Sequence, residues 1–468
     1  MGLRPRIHST LAMPRTLPQT LLIPVETLNR EFDAKLLLAL KAAERGYSPI
    51  IGGRTLIHRH LPKLPRSIYL AKGIRTGNRL MMSILESLGH VIVALDEEAL
   101  IRVNDEALHL MFDEETFNRP RQLYAWGRSN AEVWRSYKGY RGTPIIETGN
   151  PRIDLLRPEL RSFFKEDVAG LRKRFGNFVL FSSNFAVVNH FIPDYVRFRV
   201  GKGASKERSA ELKGGYHAHK RELFERFLTL LPRVASAIAP RQLVIRPHPS
   251  ENAAVWSRIR DEHENVHVVH EGPIAPWISG AEALLHSGCT SAVEAAVLEV
   301  PAFAYRPVEN ARFDAYLPNS LSRNFSDDEM LIAALCDSLE KGGSGDRLTP
   351  DQRSLLREHI ASVDGPLASD RILDALQAGS AELGSDHRPS FAGELSGRLR
   401  HGVRGAVRAI TTRARKGKSS AVYSRHKFPG ISEAEVNARI ERFRAVVPGL
   451  PLVRARERLP NVFELRPD

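Results

Sequence analysis

The chain has 468 residues, a hydrophobic content of 42% and a formal net charge of +14, with two cysteines. The length allows two ordinary domains with buried cores and an appendage, whereas two cysteines exclude a disulfide framework and a cysteine-rich zinc site. The excess of positive charge predicts an anionic partner, for which nucleic acid, anionic lipid and phosphorylated substrates all qualify.

Strand and helix signals alternate through the first third of the chain. Apolar residues at helical spacing predict helices over 32–45 and 78–88. Apolar runs predict the strands between them, at 21–26, 48–53, 67–71, 91–95 and 123–127. Strands that alternate with helices indicate βαβ units and a mostly parallel sheet. We therefore predict an N-terminal Rossmann-like domain over 18–155, with a boundary near the turn-forming sequence Gly149-Asn150-Pro151.

The same alternation starts again in the second third. A long helix is predicted over 220–238 and a mobile loop over 200–219. The strands are predicted at 178–182, 243–246, 266–270, 283–286 and 302–305. These elements form a second Rossmann-like domain over 156–377. The predicted fold class is α/β, with two Rossmann-like domains that face a cleft, followed by a basic and mostly helical C-terminal tail.

That tail, 378–468, differs in composition from the rest of the chain. Residues 388–427 contain eleven lysines and arginines and a single acid, Glu394. Four apolar residues form one stripe of a helix predicted over 397–415, namely Leu399, Val403, Val407 and Ile410. A basic amphipathic helix is suited to an anionic membrane surface. The alternative is a terminal helix that packs on the body with its arginines in solvent.

Two elements of the second domain have the composition of a phosphate site. The first is a β-branched run that ends in Arg246-Pro247-His248-Pro249, and the second is the turn Ser287-Gly288-Cys289-Thr290-Ser291, which opens an apolar helix. A helix N-terminus presents unpaired N–H groups and the positive end of the helix dipole, and Arg246 and His248 can add charge and donors. Both elements follow predicted parallel strands, whose carboxyl ends carry the ligands of open α/β sheets. The predicted nucleotide-binding residues are Arg246, His248, Ser287, Gly288, Thr290 and Ser291.

Several pieces of the chain resemble bacterial surface carbohydrate biosynthesis proteins. They are Ile23-Pro24-Val25-Glu26, Asn29-Arg30-Glu31, Leu95-Asp96-Glu97-Glu98, Gly149-Asn150-Pro151-Arg152 and the segments 246–249 and 287–294. Proteins of this family look like two-domain glycosyltransferases of the GT-B architecture, and the resemblance covers about 21–307. It implies a nucleotide-sugar donor bound in 156–377 and an acceptor, a glycan or a lipid-linked glycan, bound on 18–155.

Two neighbouring families share parts of this pattern. The CMP-Kdo-dependent capsule and lipopolysaccharide transferases use a His-Pro element and a Ser…Glu element around the cytidine nucleotide. The CDP-glycerol glycerophosphotransferases have a Gly-x-Pro-Arg-x-Asp turn, a His-Pro and a Ser/Thr-rich turn, but this chain has His-Ser-Gly-Cys-Thr-Ser at 286–291 where they typically place Asp-Tyr-Ser-Ser. We therefore expect transfer of a sugar, with CMP-Kdo as one candidate donor, and keep glycerophosphate transfer as the alternative.

The resemblance implies further roles for individual side chains. In GT-B enzymes of this general pattern, a Glu at the position of Glu294 often holds the ribose hydroxyls. Sugar transfer also needs a base or nucleophile near the anomeric carbon, for which Glu26 and Asp96 are the candidates, while His248 would stabilise the departing phosphate. The segment that follows the strand at 178–182 contains three residues that are expected to border the cleft, namely Asn184, Asn189 and His190.

Each of these assignments has a structural alternative. The serines and threonine of the turn at 287–291 can form an N-cap cluster for the helix that follows. Arg246 can pair with Glu294 or with Glu251, and His248 can satisfy loop carbonyls. The acidic run at 96–98 can be the first turn of a helix.

The leading hypothesis is a cytoplasmic glycosyltransferase for bacterial surface polysaccharide that associates with the inner face of the cytoplasmic membrane. We expect no metal and no cofactor besides the nucleotide-sugar substrate. The sequence contains no P-loop motif and no convincing dinucleotide fingerprint, and an aromatic content of 7% without a binding module argues against a nucleic-acid partner. A nucleotide-sugar epimerase and a non-catalytic envelope-assembly factor are the remaining alternatives.

Overall fold

The computed structural model describes residues 19–102, 104–192, 206–343, 348–384, 389–414, 425 and 427–468. Parallel strands form the centre of a first sheet, and in chain order they are β1 (Thr20–Val25), β2 (Ser48–Gly53), β3 (Ile68–Ala71), β4 (Val91–Leu95), β5 (Gln122–Ala125) and β6 (Ile145–Glu147). They lie side by side in the order β2-β1-β3-β4-β5-β6. Because the chain passes from one side of β1 to the other between β2 and β3, the carboxyl ends of β1 and β3 flank a topological switch point.

The second sheet is parallel throughout and is formed by β7 (Phe178–Ser182), β8 (Gln242–Arg246), β9 (Val266–Val268), β10 (Ala283–His286), β11 (Ala302–Tyr305) and β12 (Arg323–Phe325). Its order is β12-β11-β10-β7-β8-β9, the arrangement of dinucleotide-binding domains, with the switch point between β7 and β10. The central strands are buried along their whole length, as strands covered by helices on both faces must be. The predicted α/β class with two Rossmann-like domains is therefore confirmed.

Helices cover both sheets. They are α1 (Leu28–Glu44), α2 (Arg54–His60), α3 (Arg79–Ser87), α4 (Asp105–His109), α5 (Glu114–Phe117), α6 (Arg128–Arg135), α7 (Pro151–Asp154), α8 (Lys165–Phe175), α9 (Lys206–Ile238), α10 (Ala254–Glu262), α11 (Ile274–Gly280), α12 (Thr290–Leu298), α13 (Tyr316–Ser320), α14 (Asp328–Glu340), α15 (Pro350–His359), α16 (Ala368–Ala378), α17 (Ser380–Gly384), α18 (Phe391–Ala414) and α19 (Glu433–Val446). Short 3-10 turns lie at Leu61–Lys63, Thr76–Asn78 and Arg161–Phe164. The cores lie between each sheet and its helices; in the second domain Phe181 stacks on Phe227 of α9.

The mobile loop predicted over 200–219 is wrong from residue 206 onward. α9 already begins at Lys206 and continues to Ile238, while 200–205 lie outside the described residues. From Lys206 onward, the residues that suggested a loop, Gly214 and Gly215 among them, lie in a long helix, which packs on the second sheet through buried residues such as Leu230 and Val234. Burial of this face outweighs the low helix propensity of two glycines.

After the second sheet the chain returns to the first domain. The buried carboxylate of Asp154, in α7, accepts hydrogen bonds from the backbone N–H groups of Ala368 (2.7 Å) and Ser369 (2.9 Å), and so satisfies the first turn of α16. Asp370, in the same turn, pairs with Arg45 at the end of α1 (3.0 Å). The sequence analysis assigned Ala368, Ser369 and Asp370 to 156–377, but α16 contacts the first domain.

The tail ends in a hairpin as well as containing helices. Strands β13 (Val453–Leu459) and β14 (Val462–Pro467) pair antiparallel, and β14 also pairs antiparallel with β2, which extends the first sheet to the order β13-β14-β2-β1-β3-β4-β5-β6. Val453 and Ala455 are buried while Arg454 and Arg456 are exposed. This period of two is the signal for a half-buried strand, and the prediction of a mostly helical tail had overlooked it.

Candidate functional site

The predicted phosphate turn lies at the switch point of the second sheet. β7 ends at Ser182 and β10 ends at His286, and the hydroxyl of Ser182 lies 2.8 Å from that of Ser291 in the first turn of α12. The thiol of Cys289 lies 3.8 Å from the carbonyl oxygen of Ser182. These contacts hold the turn against the end of the neighbouring strand, in the crevice where ligands of such sheets bind.

A buried histidine shapes this turn. Nδ1 of His286 accepts a hydrogen bond from the N–H of Gly288 (2.9 Å), so the ring proton is on Nε2, which lies 2.8 Å from the hydroxyl of Ser322. Burial, together with the charge of Lys220, lowers the pKa of His286 to about 3. Gly288 has φ of +77°, in the left-handed region that favours glycine. His286 thus acts as a neutral structural group and Gly288 allows the sharp turn.

The same turn has donors with no partner among the residues that the structure describes. The hydroxyl of Ser287 is buried and makes no hydrogen bond there. The N-cap residue of α12 is Cys289, whose side chain forms no cap hydrogen bond, so the predicted N-cap by the neighbouring serines and threonine is not formed. Lys220 donates to the carbonyl oxygen of Ser287 (3.3 Å) and adds a positive charge. An uncapped helix N-terminus beside a buried lysine suits a phosphate.

Arg246 and His248, which follow β8, differ in what they offer. The guanidinium of Arg246 donates to the carbonyl oxygens of Glu271 (2.6 Å) and Gly272 (3.1 Å) and lies over the ring of Trp277. Burial lowers the pKa of Arg246 to about 10. Both terminal nitrogens thus donate to the loop at 271–272. Arg246 pairs with neither Glu251 nor Glu294, so the alternative of such an ion pair is wrong. These two contacts use two of the five N–H donors of the guanidinium, so the contacts with the loop do not by themselves prevent a phosphate contact.

His248 is held in one tautomer. Its Nδ1 accepts a hydrogen bond from the N–H of Ser250 (3.1 Å), which leaves the ring proton of the neutral form on Nε2. The ring is half-buried. Nε2 can therefore donate to a phosphate oxygen. β8 and β10 are separated by β7 alone, so the ends that carry His248 and Ser287 are about 10 Å apart, two inter-strand spacings.

Glu251 is a buried group that the sequence analysis considered only as a partner of Arg246. Its carboxylate accepts hydrogen bonds from the hydroxyl of Ser183 (2.6 Å), the N–H of Phe185 (2.7 Å) and the indole of Trp256 (3.1 Å). Burial raises the pKa of Glu251, although these donors favour the charged form. Glu251 ties the loop after β7 to the loop after β8.

The predicted cleft residues lie in the loop after β7. Asn189 donates to the carbonyl oxygen of Asn252 (3.1 Å), and His190 forms a backbone bridge with Glu251. Asn184 is half-buried between β7 and this bridge in the sequence. The structure therefore brings Asn189 and His190 to the loop that carries His248, while Asn184 precedes them in the loop after β7. A role of the three residues at the cleft stays a prediction.

Glu26 follows β1 at the switch point of the first sheet. Its carboxylate pairs with Lys72, which follows β3 (2.6 Å), with Arg54 (2.8 Å) and with Lys427 of the tail (2.6 Å). Burial would raise the pKa of Glu26, but Lys72, Lys427 and Arg54 together hold it well below its usual range. A carboxylate stabilised by three cations is a weak base.

Asp96 has a different environment at the end of β4. One carboxylate oxygen accepts a hydrogen bond from the N–H of Glu98 (3.0 Å). The other makes no hydrogen bond with any residue that the structure describes and lies 3.6 Å from Nε of Arg75. Burial raises the pKa of Asp96, and the charge of Arg75 offsets this rise only in part. The run at 96–98 forms a turn, so the alternative of a first helical turn is wrong. Asp96 is therefore a stronger base than Glu26 when it is ionised.

The two domains meet at a buried ion pair. Arg152, in α7 of the first domain, pairs with Glu294, in α12 of the second, and lies over the ring of Trp126. Residues from both domains line the cavity around this pair, including Asn29, Arg30 and Ile274. Glu294, which the resemblance assigns to the ribose hydroxyls, is thus occupied by Arg152 in this structure. Sequence reasoning did not identify this partner, which is 142 residues away.

Neither a metal site nor a membrane span is found in the described part of the chain. No three His, Cys, Asp or Glu side chains there are grouped so that they could hold a metal ion. Across those same residues, every helix is too short or too polar to cross a bilayer.

Comparisons with known proteins return structures alone. The chain matches no family model and no curated protein. The wall teichoic acid polymerase TagF is similar over 80% of this chain and 92% of that chain, with 12% identity and a TM-score of 0.49. The UDP-GlcNAc 2-epimerase of Methanocaldococcus jannaschii, solved with UDP-GlcNAc and UDP, is similar over 77% of this chain and 100% of that chain, with 13% identity and a TM-score of 0.46. These identities are too low to assign a role to any side chain.

Proposed function

We propose that this protein is a glycosyltransferase of bacterial surface polysaccharide synthesis, which transfers a sugar from a nucleotide-activated donor to a glycan or lipid-linked acceptor. The observation that carries the proposal is the uncapped N-terminus of α12 beside the unpartnered hydroxyl of Ser287, at the switch point of the second sheet. A nucleotide phosphate is the ligand that such a site fits best.

The donor phosphates would bind between the loops after β8 and β10. The N–H groups of Thr290 and Ser291, with the hydroxyl of Ser287, would hold one phosphate in the turn that Gly288 allows, and Nε2 of His248 would donate to the other side of the nucleotide phosphates. The spacing of about 10 Å between the two strand ends matches an extended phosphate-bearing group rather than a single ion. Arg246 would support this site through the loop at 271–272.

Asp96 is the proposed catalytic base. It would take the proton of the acceptor hydroxyl as the oxygen attacks the anomeric carbon, while the bond from that carbon to the phosphate oxygen breaks and the nucleotide leaves with the electron pair. The donors around Ser287 and His248 would stabilise the negative charge that develops on the phosphate. The raised pKa of Asp96 suits proton transfer better than the lowered pKa of Glu26.

Glu294 would bind the ribose hydroxyls after exchange of its partner. Its carboxylate now accepts from Arg152, and a ribose would have to share or replace this contact. The guanidinium has a second terminal nitrogen, Nη1 of Arg152, that is buried without a hydrogen bond among the described residues. Arg152 can therefore keep one contact with Glu294 and offer another donor to the ligand in the cleft.

The test is a thermal-shift screen of the full chain with CMP, CDP, UDP, GDP and dTDP. We expect one nucleotide to raise the melting temperature and the substitution His248→Gln to reduce its affinity about tenfold, the effect of one lost hydrogen bond to a charged group. The matched control is His263→Gln. His263 precedes β9 and so lies at the amino ends of the strands, whereas His248 follows β8 at their carboxyl ends. The control should bind like the wild type.

The identity of the nucleotide and of the product decides the chemistry. Stabilisation by CMP alone would favour a Kdo-like donor, and a glycosidic linkage in the product would support sugar transfer. A phosphodiester product formed with a CDP-activated donor would contradict it in favour of glycerophosphate transfer. If no nucleotide shifts the melting temperature, or if both histidine variants bind equally well, the site proposed here is wrong.

A further inference from the structure

α18 has two faces of opposite character. One face is attached to the first domain: Arg400 donates to the hydroxyl of Ser83 (2.7 Å) and contacts Ser87, and Nε2 of His401 lies 2.7 Å from the carbonyl oxygen of His58. Gly397 sits so close to α3 that an added Cβ would lie 2.8 Å from Cβ of Ser87. The orientation of the helix on the domain is therefore determined by direct contacts.

The opposite face carries an apolar stripe in solvent. Five residues spaced four apart are more than half exposed, namely Phe391 (85%), Leu395 (58%), Leu399 (68%), Val403 (56%) and Val407 (54%). The other exposed residues between 391 and 407 are Ala, Ser or Gly, with Arg398 as the single charged exception. At 1.5 Å per residue this surface is about 25 Å long. A contiguous apolar surface of this size indicates an interaction site.

The segment that carries the stripe is strongly basic in sequence. Arg404 and Arg408 lie on the attached side, where burial and like-charged neighbours, including Arg54, lower the pKa of both guanidinium groups. Residues 388–427 contain eleven lysines and arginines against one acid. A second copy of this chain, with the same charge of +14, would be repelled here, whereas an anionic surface would be attracted.

We propose that α18 docks the protein on an anionic lipid bilayer. The stripe from Phe391 to Val407 would enter the boundary between headgroups and acyl chains, with the helix parallel to the membrane plane. The exposed Arg398 would contact an anionic headgroup, and the excess positive charge of 388–427 would attract the anionic surface. Because the attached side of α18 contacts α2 and α3, the bilayer would lie next to the domain that carries Glu26 and Asp96. A lipid-linked acceptor would reach that domain from the membrane surface.

The experiment is flotation of the full chain with two kinds of vesicle, one of phosphatidylcholine alone and one with about one third phosphatidylglycerol. The wild type should bind the anionic vesicles, and added salt should weaken the binding. Leu399→Asp/Val403→Asp should bind at least about tenfold more weakly, because charges would enter the apolar boundary. Both residues are exposed, so the folded structure should remain, as checked by the melting temperature.

The matched control is Met330→Asp/Leu452→Asp, which places the same charges at two other exposed apolar residues. It should bind like the wild type. Equal binding of the stripe variant, or no binding of the wild type to anionic vesicles, would overturn the proposal. A wild-type dimer in the absence of lipid that the stripe variant converts to monomer, without vesicle binding, would assign the stripe to a second copy instead. None of these outcomes depends on the nucleotide site.

Discussion

Arg152 and Glu294 form an ion pair across the two domains, with side chains that are only 8% and 6% exposed. Each would be a costly buried charge without the other. Glu294 lies in α12, the helix whose N-terminus is the proposed phosphate site, and Arg152 lies in α7, so the pair connects the first domain to the donor site of the second. A change in the relative position of the domains would therefore change whether Glu294 is paired with Arg152.

The first prediction concerns this pair. Arg152→Ala should lower the free energy of unfolding by about 3 kcal/mol, because Glu294 would stay buried without its ion-pair partner. Urea-induced unfolding of the wild type and the variant measures the difference. The matched control is Arg128→Ala, since Arg128 is 72% exposed and pairs with Glu132 on the surface; we expect no measurable change in the free energy of unfolding. A similar decrease in the free energy of unfolding of both variants would contradict a structural role for the buried pair.

The second prediction separates the two candidate bases. Asp96→Asn should reduce kcat by about 10²–10⁴-fold and leave nucleotide binding unchanged, because the amide cannot accept the proton of the acceptor hydroxyl. Steady-state transfer and the thermal shift with nucleotide measure the two effects. Asp105→Asn, at an exposed carboxylate of the same domain, should be as active as the wild type. Unchanged turnover in Asp96→Asn would exclude this residue as the base.

The third prediction concerns the cations around Glu26. Lys427→Met should cost less than about 1 kcal/mol, because Arg54 and Lys72 still neutralise the carboxylate and the site is partly exposed. Glu26→Gln should cost more, because it leaves three cations next to one another. The melting temperatures of the two variants test this. A lower melting temperature for Lys427→Met than for Glu26→Gln would show that the contact of the tail contributes more to stability than the carboxylate.

The fourth prediction is a pH dependence of stability. The unfolded chain binds a proton at His286 near pH 6.5, whereas the folded protein resists it down to about pH 3. The contribution of neutral His286 is therefore complete above pH 6.5 and falls as the pH decreases toward 3, by up to about 1.4 kcal/mol per pH unit. His90, whose pKa is lowered to about 4 by burial and by Arg66, acts in the same direction.

Urea unfolding of the wild type and of His286→Asn between pH 7 and pH 5 measures this effect. The variant is expected to be less stable at pH 7, because the support of the turn at Gly288 is weakened. Its stability should decrease less steeply on acidification, so that the two proteins approach each other at pH 5. Parallel curves would show that His286 is not held neutral in the folded protein.

The buried strands were predictable because their signal is local. The runs at 91–95, 178–182, 283–286 and 302–305 coincide with the observed strands, since a strand covered on both faces must be apolar throughout. β6, with half-buried residues, was missed. The residues at the strand ends were identified for the same reason, because parallel strands bring their carboxyl ends to one edge. His248, Ser287 and Asp96 belong to this group.

The sequence by itself determined the two α/β domains, the edge of each sheet that carries polar loops, and the basic amphipathic character of α18. These properties depend on the order and spacing of neighbouring residues. Only the tertiary structure decided the partners of the charges. Glu26 pairs with Lys427, 401 residues away, and Arg246 is used by the loop at 271–272. Such contacts depend on how distant segments pack, and a buried charge takes whichever partner that packing brings within reach.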